Sequence, residues 1–100
     1  MPTALDPVIH APLRLQVCAM LAAAQTVDFA TVREMLDVSE SVLSKHVKVL
    51  EEAGYVAVRK AASDGRQRTW LALSPAGRKA FAAHAAALRT LVGDADLAAE

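Results

Sequence analysis

The sequence predicts a mainly α domain with one β-hairpin, in the order helix, helix, helix, strand, strand, helix. Apolar residues recur at helical spacing in segments near 12–24, 29–37, 40–53 and 75–92. Two alternating, β-prone runs, "YVAVRKA" and "RQRTWLALS", flank Asp64-Gly65, a strong short-range hairpin signal. Helix punctuation agrees, with Asp28, Ser39 and Ser74 at the starts and Gly54 at a stop. At 100 residues the chain is one domain's worth, so 1–100 reads as a single unit.

Pro12 opens the first helix, "PLRLQVCAMLAAA". Leu13, Val17, Met20 and Leu21 form one stripe, while Leu15 and Cys18 lie on the other side. A helix apolar nearly all round must be covered on both faces, which in so short a chain suggests a partner subunit. Asp28 caps the second helix, "FATVREMLD", with Phe29, Val32 and Leu36 facing inward. Ser39 caps the third, about 40–53, in which Leu43, Val47 and Leu50 cluster within about 60° at 100° per residue. Ser41, Lys45 and Lys48 point the opposite way, with Ser44 at their edge. Gly54 stops that helix and the hairpin, about 55–73, follows at once. Ser74-Pro75 opens the last helix, on which Phe81, His84, Leu88 and Leu91 share a face. Gly93 is expected to end it, leaving "DADLAAE" as a frayed tail. The first ten residues have neither a basic lead nor a long apolar stretch, and no run reaches membrane-helix length, which predicts a soluble, cytoplasmic protein.

Formal net charge is zero, yet the charges are segregated. Residues 1–44 carry two basic against five acidic side chains, residues 45–79 eight against three, and residues 80–100 one against three. The middle segment, at +5, holds the third helix and the hairpin, as a polyanion-binding face requires. Second and third helices joined by "VSE" have helix-turn-helix spacing, and the basic hairpin behind them makes the arrangement a winged helix-turn-helix. Such a helix fits the major groove: Ser41 and Ser44 can reach base edges or phosphates, and Lys45 and Lys48 can straddle the groove to the backbone. Arg59, Lys60, Arg66 and Arg68 of the wing would meet flanking DNA, with Asp64 orienting Arg66 through an ion pair.

On "LSKHVKVLEEAGYV" followed by "DGRQRTWLALSPAGRKAF", the chain resembles the small winged-helix DNA-binding domains related to the MarR and ArsR transcriptional regulators, over roughly residues 10–92. The resemblance implies a DNA-binding regulator working as a homodimer on a palindromic operator. It also implies that Ser41, Ser44, Lys45 and Lys48 are recognition-helix positions and Arg66 and Arg68 wing positions. The cysteine pair that ArsR-type metal sensors carry near the recognition helix is missing here, so metal sensing through that site is not expected. Only the first and last helices remain of the longer ones that frame a ligand pocket in larger MarR proteins, which leaves no pocket implied for a small-molecule effector.

The dimer would form along the first and last helices, through Leu15, Cys18, Phe81, Leu88 and Leu91, placing two recognition helices about 34 Å apart. Cys18, the single cysteine, sits among apolar neighbours and reads as a packed side chain, the alternative being a redox-sensing thiol. Of the histidines, His46 is expected to make a structural hydrogen bond, His84 to pack at the interface, and His10 to lie in an irregular lead. No Cys/His pair at ligand spacing, catalytic triad pattern, paired carboxylates or phosphate loop stands out, so neither a cofactor, a metal nor an enzyme is expected. A rival reading is a winged helix that docks an acidic protein partner without sequence-specific DNA binding.

Overall fold

A computed structural model describes the backbone of residues 5–99 and side chains through residue 93. The first four residues, part of the stretch read as lacking a secretion lead, and Glu100, at the end of the expected tail, lie outside it. The elements run α1 (Pro7–His10), α2 (Pro12–Ala23), β1 (Val27–Asp28), α3 (Phe29–Leu36), α4 (Glu40–Glu52), β2 (Val56–Ser63), β3 (Arg66–Leu73) and α5 (Pro75–Ala99). The sheet is antiparallel in the order β1-β3-β2. This is the winged helix-turn-helix expected, with one short helix and one short strand added.

Local chemistry sets the boundaries. Asp28 accepts the Thr31 backbone N–H at 2.7 Å and starts α3; Ser39 accepts that of Val42 at 3.2 Å and starts α4. Between them Asp37 turns left-handed (φ 53°), which aspartate tolerates, and its N–H closes onto the end of α3. Gly54, at φ 81°, ends α4 while Tyr55 N–H reaches back to the Leu50 carbonyl at 3.0 Å. Asp64 and Gly65 both have positive φ, 53° and 75°, as a two-residue turn of type I′ demands, and Ser63 pairs with Arg66 across it.

Leu43, Val47 and Leu50 of α4 pack with Val17, Cys18 and Leu21 of α2, Val32 of α3, and Val56, Leu71 and Leu73 of the sheet. The expectation that Cys18 faces a partner subunit meets a correction here. Cys18 is wholly buried inside a single chain, and α2 is touched on its several sides by α1, α4, α5 and β3. The covering element is α1, in the stretch read as irregular: Asp6 caps it, and Ile9 is fully buried against the core. Cys18 is therefore core, not interface, and burial with the nearby Asp6 charge pushes its thiol up to about 11. At neutral pH it carries no thiolate for redox chemistry.

His84 is likewise core, 1% exposed, rather than a surface interface residue. Its Nδ1 accepts the Asp6 backbone N–H at 2.9 Å, while the Asp6 carboxylate accepts the Tyr55 hydroxyl at 2.7 Å. The lead, the end of α4 and α5 are thereby joined. Nor does Gly93 end the last helix, whose backbone continues to Ala99. One glycine costs a helix only about 1 kcal/mol, which its neighbours can absorb. At 25 residues and 1.5 Å per residue α5 runs for about 37 Å of a molecule that measures 55 Å against 26 and 21 Å across, and Leu91 and Val92 on it are 54% and 58% exposed.

Candidate nucleic-acid interface

The helical period of α4 separates its side chains cleanly. Leu43 and Leu50 are fully buried and Val47 nearly so, while Ser41, Ser44, Lys45 and Lys48 are exposed together on the outer side. The buried stripe fixes the rotation of the helix, so the polar face cannot turn inward. His46, at the boundary, makes the structural hydrogen bond expected: Arg14 Nη1 lies 3.0 Å from its Nδ1. Arg14 also donates through Nε to the Val8 carbonyl, so one guanidinium links α1, α2 and α4. Burial, followed by the Arg14 and Lys45 charges, holds the His46 pKa below its ordinary value, which keeps the ring neutral at pH 7.

The wing divides its basic residues between two faces. Directly paired residues of an antiparallel sheet share a face, and successive residues alternate. Val56 and Val58, opposite Leu73 and Leu71, lie on the core side, and Lys60 opposite Thr69 and Ala62 opposite Gln67 continue that side toward the tip. Arg59 opposite Trp70, Ala61 opposite Arg68 and Ser63 opposite Arg66 lie on the other side. Of the predicted wing contacts, Arg66 is exposed beside the turn and shares with Arg59 and Arg68 the side away from Val56 and Val58, while Lys60 lies on the core side.

Arg68 is a further correction. Its Nη1 donates to Asp28 Oδ2 at 2.7 Å, and this is the one ion pair among the described residues, in place of the expected Asp64–Arg66 pair. Asp28 sits opposite Trp70, the neighbour of Arg68 two positions along the same face, within the guanidinium's reach. Asp64 instead spends its conformation on the turn. The Thr31 contacts, opposed by burial and joined by the Arg68 hydrogen bond and charge, hold the Asp28 carboxyl below the usual range.

Between α4 and the wing run two adjoining clefts of about 280 and 290 Å³. Both are lined by Phe29, Glu40 and Thr69; one continues along Ser44 and Lys48, the other along Arg33, Arg66 and Gln67. Glu40, Gln67 and Thr69 were not among the residues picked from the sequence. Alternation outward from Asp64-Gly65 would have placed Gln67 and Thr69, since both share the side of the core residue Leu71. Val42, 43% exposed in the first turn of α4, was also missed, because an apolar residue attracts no attention as a ligand group.

The fold and this face define a winged-helix DNA-binding protein of the transcription-regulator class. The sequence pattern of the winged helix DNA-binding domain family matches residues 13–92, and the chain belongs to that family. It is 30% identical over 74 residues to an uncharacterised protein of Methanocaldococcus jannaschii, an alignment covering 74% of this chain and 80% of that one. Among solved structures it is similar to a transcriptional regulator homologue from Pyrococcus horikoshii (TM-score 0.84, 25% identity, 89% of this chain and 88% of that one). It also shares its fold with NadR, solved in complex with 4-hydroxyphenylacetate (TM-score 0.72, 20% identity, 94% and 69% covered). The family match and the solved transcriptional regulators are in line with the winged-helix resemblance drawn from sequence. No described helix is long and apolar enough to cross a membrane.

Proposed function

We propose that this protein is a MarR/ArsR-like transcriptional regulator, a binding protein and not an enzyme, that reads a palindromic operator as a homodimer. The observation that carries the reading is the one-sided exposure of Ser41, Ser44, Lys45 and Lys48 on a helix whose opposite side is locked in the core. The serines, near the positive end of the helix dipole, meet base edges or phosphates, and the lysines bridge to the backbone on either side of the groove. Arg66, at the wing tip, reaches the flanking minor groove. Arg68 serves the wing from behind through Asp28.

The homodimer reading is supported by α5, which outruns the core and leaves Leu91 and Val92 bare on a helix that also carries the half-buried Phe81 and Leu88. Leu15 of α2 is half-buried and joins them as a candidate contact. The rival, a winged helix that docks an acidic protein, has no separate observation in its favour.

The test is selection of genomic fragments by the protein in excess random competitor DNA, followed by binding to the selected fragment across a salt series. Lys45→Ala and Lys48→Ala should each lower the log–log salt slope by about one unit. Unchanged slopes and affinities in both variants, or no fragment surviving competitor, would count against DNA reading. Gel-filtration mass at micromolar concentration checks the dimer.

A further inference from the structure

We propose that the lead, Asp6–His10, is an acid-sensitive clasp, fastened to α4 and α5 through two histidines that hold it only while unprotonated. The clasp rests on the DNA-binding reading in one respect, that its release weakens operator binding.

All three histidines of the chain converge on this segment. On the α5 side, His84 Nδ1 accepts the Asp6 backbone N–H at 2.9 Å, and the His10 ring lies 5.4 Å from the His84 ring. On the α4 side, Arg14 spans from the Val8 carbonyl to His46 Nδ1, the latter at 3.0 Å. A guanidinium and a backbone N–H can only donate, so each imidazole is the acceptor. One added proton on either ring turns that acceptor into a donor facing a donor, and at His46 sets a cation against a cation. His84 has no other outlet: it is 1% exposed, and its Nε2 has no partner among the described residues.

The surrounding groups do not cancel the effect. Only Asp6 pulls His84 toward its charged form, and the Asp6 oxygens are already taken by the Tyr55 hydroxyl and the Val8 N–H. His10 beside His84, and Arg14 and Lys45 beside His46, oppose a further positive charge, while Cys18 of α2 stays a neutral thiol. With burial acting first on both rings, the docked lead is neutral at pH 7.5, and undocking takes up protons as pH falls below about 6.5. Beyond these bonds α1 has one fully buried side chain, Ile9, to hold it, so the lead can open while the sheet and α4 stay folded. Added imidazolium charge would by itself strengthen binding to DNA. The clasp predicts the reverse.

Amide hydrogen exchange of the full chain from pH 7.5 to 5.0, corrected for the intrinsic pH dependence of exchange, reads the clasp directly. Protection of the Asp6 and His10 amides should fall about tenfold while the β3 amides keep theirs. Affinity for the selected genomic fragment should weaken several-fold over the same range. His46→Asn with His84→Asn keeps a neutral acceptor near each Nδ1 position, and should match the wild type at pH 7.5 and lose both responses. Thermal melts report folding, and His46→Asn alone, at a half-buried position, should blunt the operator response even if the core variant is unstable. Lead protection that follows the β3 amides at every pH, or an undiminished acid response in the asparagine variants, overturns the clasp. Lead opening with unchanged affinity overturns its role in operator binding. A wild-type chain that retains no duplex at pH 7.5 overturns the DNA-binding reading instead, and leaves the exchange result to decide the clasp.

Discussion

Arg68 and Asp28 meet at 2.7 Å, joining the central strand of the wing to the first residue before α3 across 40 positions of sequence. The same carboxylate spends its other oxygen on the Thr31 N–H that begins the helix. One side chain thus caps the helix-turn-helix and holds the wing against it. Asp28 is 7% exposed, so its charge depends on both partners being in place.

Breaking that junction should cost stability in a defined pattern. Asp28→Ala removes the cap, a loss of about 1 kcal/mol, together with the ion pair. Asp28→Asn keeps a capping oxygen and should cost less. In a double-mutant cycle with Arg68→Ala, urea unfolding should return a coupling of about 1 kcal/mol, within the usual range for contacting groups. Because the folded carboxyl is shifted down, this contribution is present above the unfolded aspartate value and is lost as pH falls through the folded one. Strict additivity of the two alanine variants would show the contact to be energetically idle.

A second pH effect comes from His84. Its Nδ1 accepts the Asp6 N–H, so the ring is neutral with its proton on Nε2, a buried atom without a partner among the described residues. Protonation would set a new N–H against the one it now accepts. Burial, then the neighbouring His10, hold the pKa below its ordinary value, against an opposing pull from the Asp6 carboxylate. The unfolded imidazole therefore takes up a proton first as pH falls below about 6.5, and stability should decline from there toward the folded value. His46, also shifted down, acts in the same direction. Denaturant midpoints at pH 7.5, 6.5 and 5.5 should fall more steeply for the wild type than for His84→Gln.

Two glycines of α5 should respond oppositely to alanine. At Gly77 an added Cβ would run into the Tyr55 carbonyl, whereas at Gly93 it meets nothing within 4 Å. Gly77→Ala should destabilise by about 1–3 kcal/mol through overpacking. Gly93→Ala should stabilise by up to about 1 kcal/mol through helix propensity. Melting temperatures of the two variants, measured side by side, check the pair.

Val42 offers a chemical probe of base reading. An exposed branched aliphatic side chain on the first turn of a recognition helix has one apolar partner in a major groove, the thymine methyl. Replacing thymine by uracil, one position of the selected site at a time, should cost about 0.8 kcal/mol at a single position in each half-site, the worth of one buried methyl-sized group. In Val42→Ser that sensitivity should vanish. If every uracil substitution is silent in the wild type, Val42 reads no base.

Much of this architecture was legible because its signals are local. Asp28, Ser39, Gly54, Asp64-Gly65 and Ser74 each act within a few residues, and the structure places every one at the boundary expected. The unread parts depend on distant partners. Four-residue α1 and two-residue β1 have no periodicity to detect; Ile9 and the Val27–Leu71 pairing define them only once the core exists. Missing α1 left one side of α2 without its cover and put Cys18 on the wrong side of the molecular boundary. Composition marked the wing as basic but could not say that Arg68 is taken by Asp28, or that Lys60 and Arg59 point opposite ways.

The junction of α4 and α5 carries a geometric consequence. Ser74 donates to the Gly54 carbonyl at 2.6 Å and accepts the Gly77 N–H at 2.9 Å, while its own N–H reaches the Tyr55 carbonyl at 2.9 Å and Gly77 presses on that residue. These contacts tie the start of α5 to the residues that end α4, so the longer helix is an arm fixed to the shorter one. In a pair of chains joined along α5, the pitch of each reading helix would follow from how the long arms cross. A change of a few degrees in that crossing would swing the reading helices as rigid bodies and retune which operator spacing they span.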